Sequence, residues 1–502
     1  MSGGDGNGRQ RSSTGIAGLD FALDGGLPAN GLYLVQGESG TGKTTLAMQF
    51  LLEGMRRGEA AVFATLSETE EELRVLAASH GWDIAGIALC DLQTVQEALR
   101  GHTQYTLFHP SEVELAEASR QLLEIIERLR PSRLVIDSLA EMRLLARDSL
   151  RFRRQILSLK QHLAGRDCTV LLIDHAEEPD FQLQSVTHGM ICLEQMAVEY
   201  GGERRRLRIQ KVRSIAFREG YHDFSIRRGG LVVYPRLAIS GDHRTDAAIE
   251  TVSSGLPELD DMLGGGVARG TSTLLLGPSG AGKTTIASQY AMAAAGRGER
   301  ALLYLFDELP AVWIERCQGL GMPVEPLLAD RRIELRRVDP AELSPGELAH
   351  ALREEVEQGV RVVVIDSLNG YQNAMPGESY LAPHLRELLA YLGERGVLTL
   401  LVMTQSGLVG QGVASPDSLT YLADNVILLR YFEAFGEVRQ AISAVKKRTG
   451  RHERTIRELR LSAEGPHVGK VVTEFQGVLS GNLTYLGGKE PLLRQRSGGA
   501  HE

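Results

Sequence analysis

Two stretches of the chain, GESGTGKTT at residues 37–45 and GPSGAGKTT at residues 277–285, set glycines, a lysine and threonines at one spacing. That spacing suits a phosphate chain. Gly37, Gly40 and Gly42, and again Gly277, Gly280 and Gly282, free the backbone to turn its N–H groups inward. Lys43 and Lys283 then reach the β/γ oxygens, and the hydroxyls of Thr44 and Thr284 suit Mg²⁺; Thr45 and Thr285 complete each nucleotide-binding set. Asp137 and Asp366 each end an apolar run, RLVID and VVVID. In a P-loop enzyme such an aspartate holds Mg²⁺ beside the threonine, usually through water.

Hydrolysis also needs a group that orients or deprotonates water. The expected place is the end of the strand after the P-loop helix, where FATLSETEE (63–71) aligns with LYLFDELPA (303–311). Ser67-Glu68 therefore faces Asp307-Glu308, and Glu68, Asp307 and Glu308 are the candidate catalytic carboxylates. Neighbouring strand residues point to opposite sides, so unless the strand end bends only one carboxylate of Asp307-Glu308 faces the γ-phosphate. Glu68 and Glu308 could instead cap the following helix. If the first position supplies the base, Ser67 cannot replace it, and a missing general base costs about 10²–10⁴ in rate.

The elements needed to hold these residues are legible. An apolar run precedes each glycine loop, Leu32 to Val35 and Leu274 to Leu276. An amphipathic run follows each, with Leu46 and Phe50, or Ile286 and Tyr290, spaced four apart before Gly58 and Gly296. A strand, a glycine loop and a helix are the order the motif requires.

The whole arrangement is duplicated. STGIAGLDFALDGGLP (13–28) returns as SSGLPELDDMLGGGVA (253–268), an offset of 240 shared by the lysines (283 − 43). RLVIDSL (133–139) matches VVVIDSL (362–368) at an offset of 229 (366 − 137), so the first half carries about eleven extra residues, as a surface loop would. TVLLIDH (169–175) then matches LTLLVMTQ (398–405). Continuous apolar strands alternating with helical runs predict an α/β fold in tandem, each copy a mostly parallel sheet flanked by helices, with ligands at the carboxyl ends of the strands. The reading divides the chain into a disordered tail (1–12), a first domain (13–240), a linker (241–252), a second domain (253–485) and a second disordered tail (486–502).

Bulk composition agrees with a cytoplasmic globular protein of 502 residues, 43% hydrophobic and 24% charged. No apolar run is long enough to span a membrane, and no basic segment with an apolar stretch marks the chain for secretion. Cys90, Cys168, Cys192 and Cys317 stand far apart, without metal-site or disulfide spacing. A formal net charge of −9 argues mildly against a nucleic-acid partner. The dense basic stretch ERRRLRIQKVR (203–213) is a local exception, readable as a solvated edge strand.

With TGIAGLD and SGLPELD each opening a half before GxxGxGKT, the chain resembles the KaiC family of double RecA-like P-loop ATPases. The likeness covers roughly residues 13 to 480. ADNVILLRYFEAFGEVRQAISAVKKRTGRHERTIREL (423–459) looks like the family segment that follows its phosphorylated residues, and GERRRLRIQKVR like the corresponding first-domain strand. The resemblance implies a homo-oligomeric ring, usually a hexamer, with ATP between neighbours and Lys211, Arg213, Lys446 and Arg448 reaching a neighbour's phosphates. It implies serine/threonine autokinase activity in the second domain, in a ring-shaped signalling or clock-type regulator. SPDSLTYLADN puts Thr420 and Tyr421 where the family has an adjacent Ser-Thr pair, with Ser415 and Ser418 as fallback acceptors. The family's paired glutamates are replaced by Ser67-Glu68 and Asp307-Glu308, which leaves first-domain hydrolysis open while binding stands.

Two other classes remain. A DNA-acting RecA-like motor would want basic loops after the ID(S) strands; AEMRLLARDSLRF balances arginines with acids, and NGYQNAMPGESYL has no arginine. An adaptor using ATP as structural glue would bind it without turnover. GVLSGNLTYLGGKEPLLRQ near the carboxyl terminus could dock a regulatory protein. His175 and Gln405 end equivalent strands, where a RecA-like fold often places a γ-phosphate sensor, but satisfying backbone groups there is the expected role; Trp82 is expected to pack.

Overall fold

The computed structural model describes residues 10–92, 110–146, 148–175, 181–197, 201–237, 250–339, 343–373, 381–405, 420–479 and 484–486. Two compact units divide the chain, one made of Met1–Arg236 with Ser344–His350 and the other of Leu237–Leu343 with Ala351–Glu502. In the first, nine strands form one sheet: β1 (Leu32–Gly37), β2 (Ala61–Thr65), β3 (Ile87–Asp91), β4 (Arg133–Asp137), β5 (Thr169–His175), β6 (Gly189–Met196), β7 (Arg204–Val212), β8 (Tyr221–Arg227) and β9 (Gly230–Tyr234). Their spatial order is β3-β2-β4-β5-β1-β6-β7-β8-β9. Pairings from β3 through β6 are parallel, and those from β6 through β9 antiparallel.

The second unit repeats this strand for strand. Its members are β10 (Ser272–Gly277), β11 (Arg300–Leu305), β12 (Ile333–Arg337), β13 (Val360–Asp366), β14 (Leu398–Thr404), β15 (Asn425–Ala434), β16 (Glu437–Lys447), β17 (Arg457–Ser462) and β18 (Gly465–Val471). The order β12-β11-β13-β14-β10-β15-β16-β17-β18 is the first unit's order with nine added to each label. The central strands β4, β5, β13 and β14 are buried on both faces, which is why they read as unbroken apolar runs.

The repeated opening motif has a structural reason. Asp20 receives Ser13 Oγ at 2.7 Å and the Thr14 backbone N–H at 2.7 Å. Asp260 is bonded in the same way by Ser253 Oγ and the Ser254 N–H. Each aspartate thus pins the entering chain against the short helix that precedes its glycine loop.

The helices behind the loops are α1 (Lys43–Arg56) and α3 (Lys283–Gly296), separated in sequence by α2 (Glu70–His80); α4 (Pro310–Gly319) is the second unit's counterpart of α2. The amphipathic pattern predicted for the loop helices gives way to broader burial. In α3 Ile286, Ala287, Ser288, Tyr290, Ala291, Ala294 and Ala295 are all buried, because small alanines let the helix sit close on the sheet.

The two copies pack this helix differently. In the first, Arg133 at the start of β4 is fully buried beneath α1. It donates to Ser13 O at 2.6 Å and Phe50 O at 2.7 Å and pairs with Glu59. A Cβ on Gly54 would collide with its side chain. By the two offsets the second copy has Val362 and Ala294 at these positions, both fully buried in one apolar cluster. Arginine with glycine has been exchanged for valine with alanine at matched volume. Arg133→Val alone is expected to lower first-domain stability by about 3 kcal/mol, through a cavity and carbonyls left without donors. Adding Gly54→Ala should recover about 1 kcal/mol. Chemical denaturation of the two variants measures both.

Candidate active sites

Both glycine loops run from the carboxyl end of a central strand into a helix, and backbone constraints explain their composition. Gly40, Gly42, Gly280 and Gly282 have φ of 80°, 96°, 77° and 98°, the left-handed region open to glycine. A Cβ on Gly37 would strike the Leu193 carbonyl, and one on Gly277 the Leu429 carbonyl.

In the first unit Lys43 Nζ donates to Gly37 O at 2.8 Å and Glu38 O at 2.6 Å. Burial lowers its pKa against the pull of nearby Asp137, Asp174 and Glu68. Thr44 Oγ1 lies 3.1 Å from Asp137 Oδ2 and 3.5 Å from Glu68 Oε1. Burial raises Asp137; burial, then the Asp137 charge, raises Glu68 to about 7. Ser67 bonds Asp137. Asp174 on β5, fully buried, takes Arg143 Nη2 at 2.9 Å and Nη1 at 3.3 Å.

In the second unit a cavity of about 450 Å³ is lined by Gly280, Lys283, Thr284, Asp307, Glu308, Arg316, Asp366 and Thr404, among others. Lys283 Nζ donates to Pro278 O at 2.7 Å, and burial lowers its pKa to about 8. Burial raises Asp366 to about 6 against a hydrogen bond from Thr284.

The carboxylate pair resolves differently from strict alternation. β11 ends at Leu305 and the chain then bends, so Asp307 and Glu308 both line the cavity. Asp307 accepts from Ser367 Oγ, which itself accepts the Gly370 N–H. Glu308 Oε1 takes Arg316 Nη1 at 2.6 Å. Neither Glu68 nor Glu308 caps a helix. Thr69 is the N-cap of α2, closing a capping box with Glu72, and α4 begins at Leu309-Pro310 without a side-chain cap. Thr65 Oγ1 fixes the bend that carries Glu68, accepting its N–H at 2.9 Å and donating to its carbonyl at 2.8 Å.

A threonine hydroxyl and a mostly buried aspartate meet beside the loop lysine in each copy, an all-oxygen donor pair that fits Mg²⁺ when phosphate oxygens and water complete its shell. Among the described residues no cluster of three or more His, Cys, Asp or Glu could hold a metal by itself.

Lys211, Arg213, Lys446 and Arg448 are not brought to these sites. Lys211 pairs with Met190 and Lys446 with Val426, toward the amino ends of the parallel strands, whereas Gly37 lies beside Leu193. Lys211 donates to Gln184 O and Thr187 O, Arg213 to Ser185 O, and Lys446 to Ala423 O at 2.7 Å; Arg448 pairs with Asp424 at 2.8 Å. Thr420 is half-buried and Tyr421 exposed. Ser415 and Ser418 lie outside the described residues. Gln405, buried at the end of β14, has neither side-chain atom hydrogen-bonded among the described residues; its backbone N–H goes to Gly277 O. The expectation that its side chain satisfies backbone groups therefore fails. His175 is exposed, and Trp82 stacks on His80.

Sequence reasoning passed over Arg316 and Asp174. Comparison of the halves would have found the first: at the 240 offset Arg316 stands opposite Leu76.

The KaiC ATPase family model matches residues 12–238 and 252–471. The chain is 26% identical over 496 residues to the circadian clock protein KaiC3 of Synechocystis sp., covering 95% of each chain. It is 26% identical over 485 residues to the circadian clock oscillator protein KaiC of Synechococcus elongatus, covering 93% of this chain and 91% of that one. Two family matches spanning most of the sequence, each laid on one of two repeated sheets with its own glycine loop, make this chain a member of the KaiC ATPase family.

Proposed function

We propose that the chain binds ATP at both glycine loops and hydrolyses it chiefly at the second, as a homo-oligomeric ring in the cytoplasm that phosphorylates itself. The observation that carries this reading is the second-unit cavity, where Lys283, Thr284, Asp307, Glu308 and Asp366 converge. Backbone N–H groups of the loop and Lys283 hold the triphosphate; Glu308 takes the proton of an attacking water; Asp307, engaged by Ser367, shapes the wall beside it. Thr284 with Asp366, and Thr44 with Asp137, would hold Mg²⁺, which when bound neutralises charge on the β/γ oxygens. The first site has one carboxylate fewer, with Ser67 where the second has Asp307, and is assigned slower turnover.

Ring assembly is supported by where the four basic residues lie. Lys211, Arg213, Lys446 and Arg448 stand away from their own chain's loops, so they suit a neighbour's phosphates better than their own. A hexamer is the expected ring. The basic strand is neutralised in part, with Arg206 on Glu194 and Arg205 on Glu203, and Arg206 also lies over Tyr221, which disfavours nucleic acid as the partner. Thr420, with Tyr421 beside it, is the assigned phosphoacceptor, and the segment from residue 477 on the assigned dock for a regulatory protein. Domains at 13–240 and 253–485, joined by 241–252 and flanked by tails, complete the scheme.

Incubation with γ-labelled ATP and Mg²⁺, followed by peptide mapping, tests the scheme. Label within 415–421 is expected. Released phosphate without protein label would leave an ATPase or motor, and neither product would leave an adaptor.

A further inference from the structure

Glu308 and Glu68 occupy the same position in the two copies, yet their surroundings differ in one decisive residue. Arg316 Nη1 donates to Glu308 Oε1 at 2.6 Å, and its Nη2 is buried without a partner among the described residues. Both side chains line the cavity that holds Lys283, Thr284 and Asp366. The first copy has Leu76 at the equivalent position, and among the described residues Glu68 there has only the Thr44 hydroxyl as a side-chain hydrogen-bond partner.

The helix that carries Arg316 is itself held tightly. Trp313, fully buried on α4, donates its indole N–H to Ser288 Oγ on α3 at 3.0 Å, and Ser288 donates to Thr284 O at 2.8 Å. Cys317 beside it is buried too. An arginine three residues beyond a buried tryptophan, tied through one serine to the glycine-loop helix, has little freedom to wander. Neither tie exists in the first copy, where Leu73 and Met48 stand at those offsets. The second site therefore has a rigid strut from the loop helix through α4 to one carboxylate.

We propose that Arg316 is a positioning residue that fixes the Glu308 carboxylate for proton abstraction, a support that Glu68 lacks with Leu76 at the equivalent position. The inference rests on Glu308 being the base of the second site. The guanidinium engages Oε1, which leaves Oε2 as the oxygen to take the proton. Misplacing a reacting group by about 1 Å costs on the order of 10²-fold in rate, which sets the size of the effect a lost strut should have.

The test is a double-mutant cycle in the full-length protein carrying Lys43→Ala, so that turnover reports the second site. Nucleotide Kd and kcat are measured for Arg316→Gln, Glu308→Gln, both together, and Arg316→Lys. Arg316→Gln is expected to lower kcat about 10²-fold with Kd changed by less than about threefold, because the group acts on the base and not on binding. In the Glu308→Gln background the same substitution should cost less than about threefold. Arg316→Lys should restore about tenfold of the loss. Full kcat in Arg316→Gln, or the same loss with and without Glu308, would overturn the inference while leaving Glu308 as base. An unchanged kcat in Glu308→Gln would overturn the assignment of the base and this inference with it. Loss of nucleotide binding in both Arg316 variants, with no recovery by lysine, would reduce Arg316 to a structural role and overturn it.

Discussion

Glu308→Gln is expected to lower ATP turnover by about 10²–10⁴-fold while nucleotide binding persists, the cost of losing a general base. Glutamine keeps the size of the side chain and its contact with Arg316, so the loss isolates the proton-accepting role. Asp307→Asn should cost less, because that carboxylate is already engaged by Ser367 in a chain that begins at the Gly370 N–H. Glu68→Gln should change total turnover only slightly. Glu68 is desolvated and set beside Asp137, which lifts it to about 7, and no arginine among the described residues holds it. Turnover measured on the three variants under identical conditions ranks the carboxylates. Equal losses for Glu68→Gln and Glu308→Gln would mean that the two sites work alike.

Much of this arrangement was legible in the sequence, for physical reasons that differ by element. The glycine loops were readable because left-handed φ and close carbonyl contacts admit little but glycine at Gly42, Gly282, Gly37 and Gly277. Strands buried on both faces announce themselves as apolar runs, and duplication doubled the signal, so the tandem parallel sheets and the placement of Asp137 and Asp366 followed. The antiparallel extension from β6 to β9, and from β15 to β18, was less readable, since strands with one wetter face alternate and carry charges such as those of Arg204–Arg208.

Orientation was the harder problem. Alternation along a strand predicted that Asp307 and Glu308 would part, unless the strand end bent; it does, because β11 stops at Leu305. Gln405 is expected to satisfy backbone groups, yet among the described residues its side chain bonds none. Arg316 escaped notice because its contact with Glu308 spans two turns of an intervening helix, and no local pattern encodes that. Only the difference between copies, arginine against leucine, carries the signal. Arg133 is a similar case: its burial depends on Gly54, which lies far off in sequence and matters only once α1 and β4 are packed.

The most direct measurement is equilibrium binding of ATP to the parent, Lys43→Ala, Lys283→Ala and the double variant. Lys283 Nζ is buried and Lys43 Nζ part-buried, and each donates to a carbonyl of its own glycine loop. A charge-assisted hydrogen bond is worth about 1.5–3 kcal/mol. Each single variant should therefore weaken one class of site by about 10- to 100-fold and leave the other intact, and the double variant should weaken both. A double variant that holds ATP as tightly as the parent would contradict binding at the two glycine loops, and with it every role assigned around them.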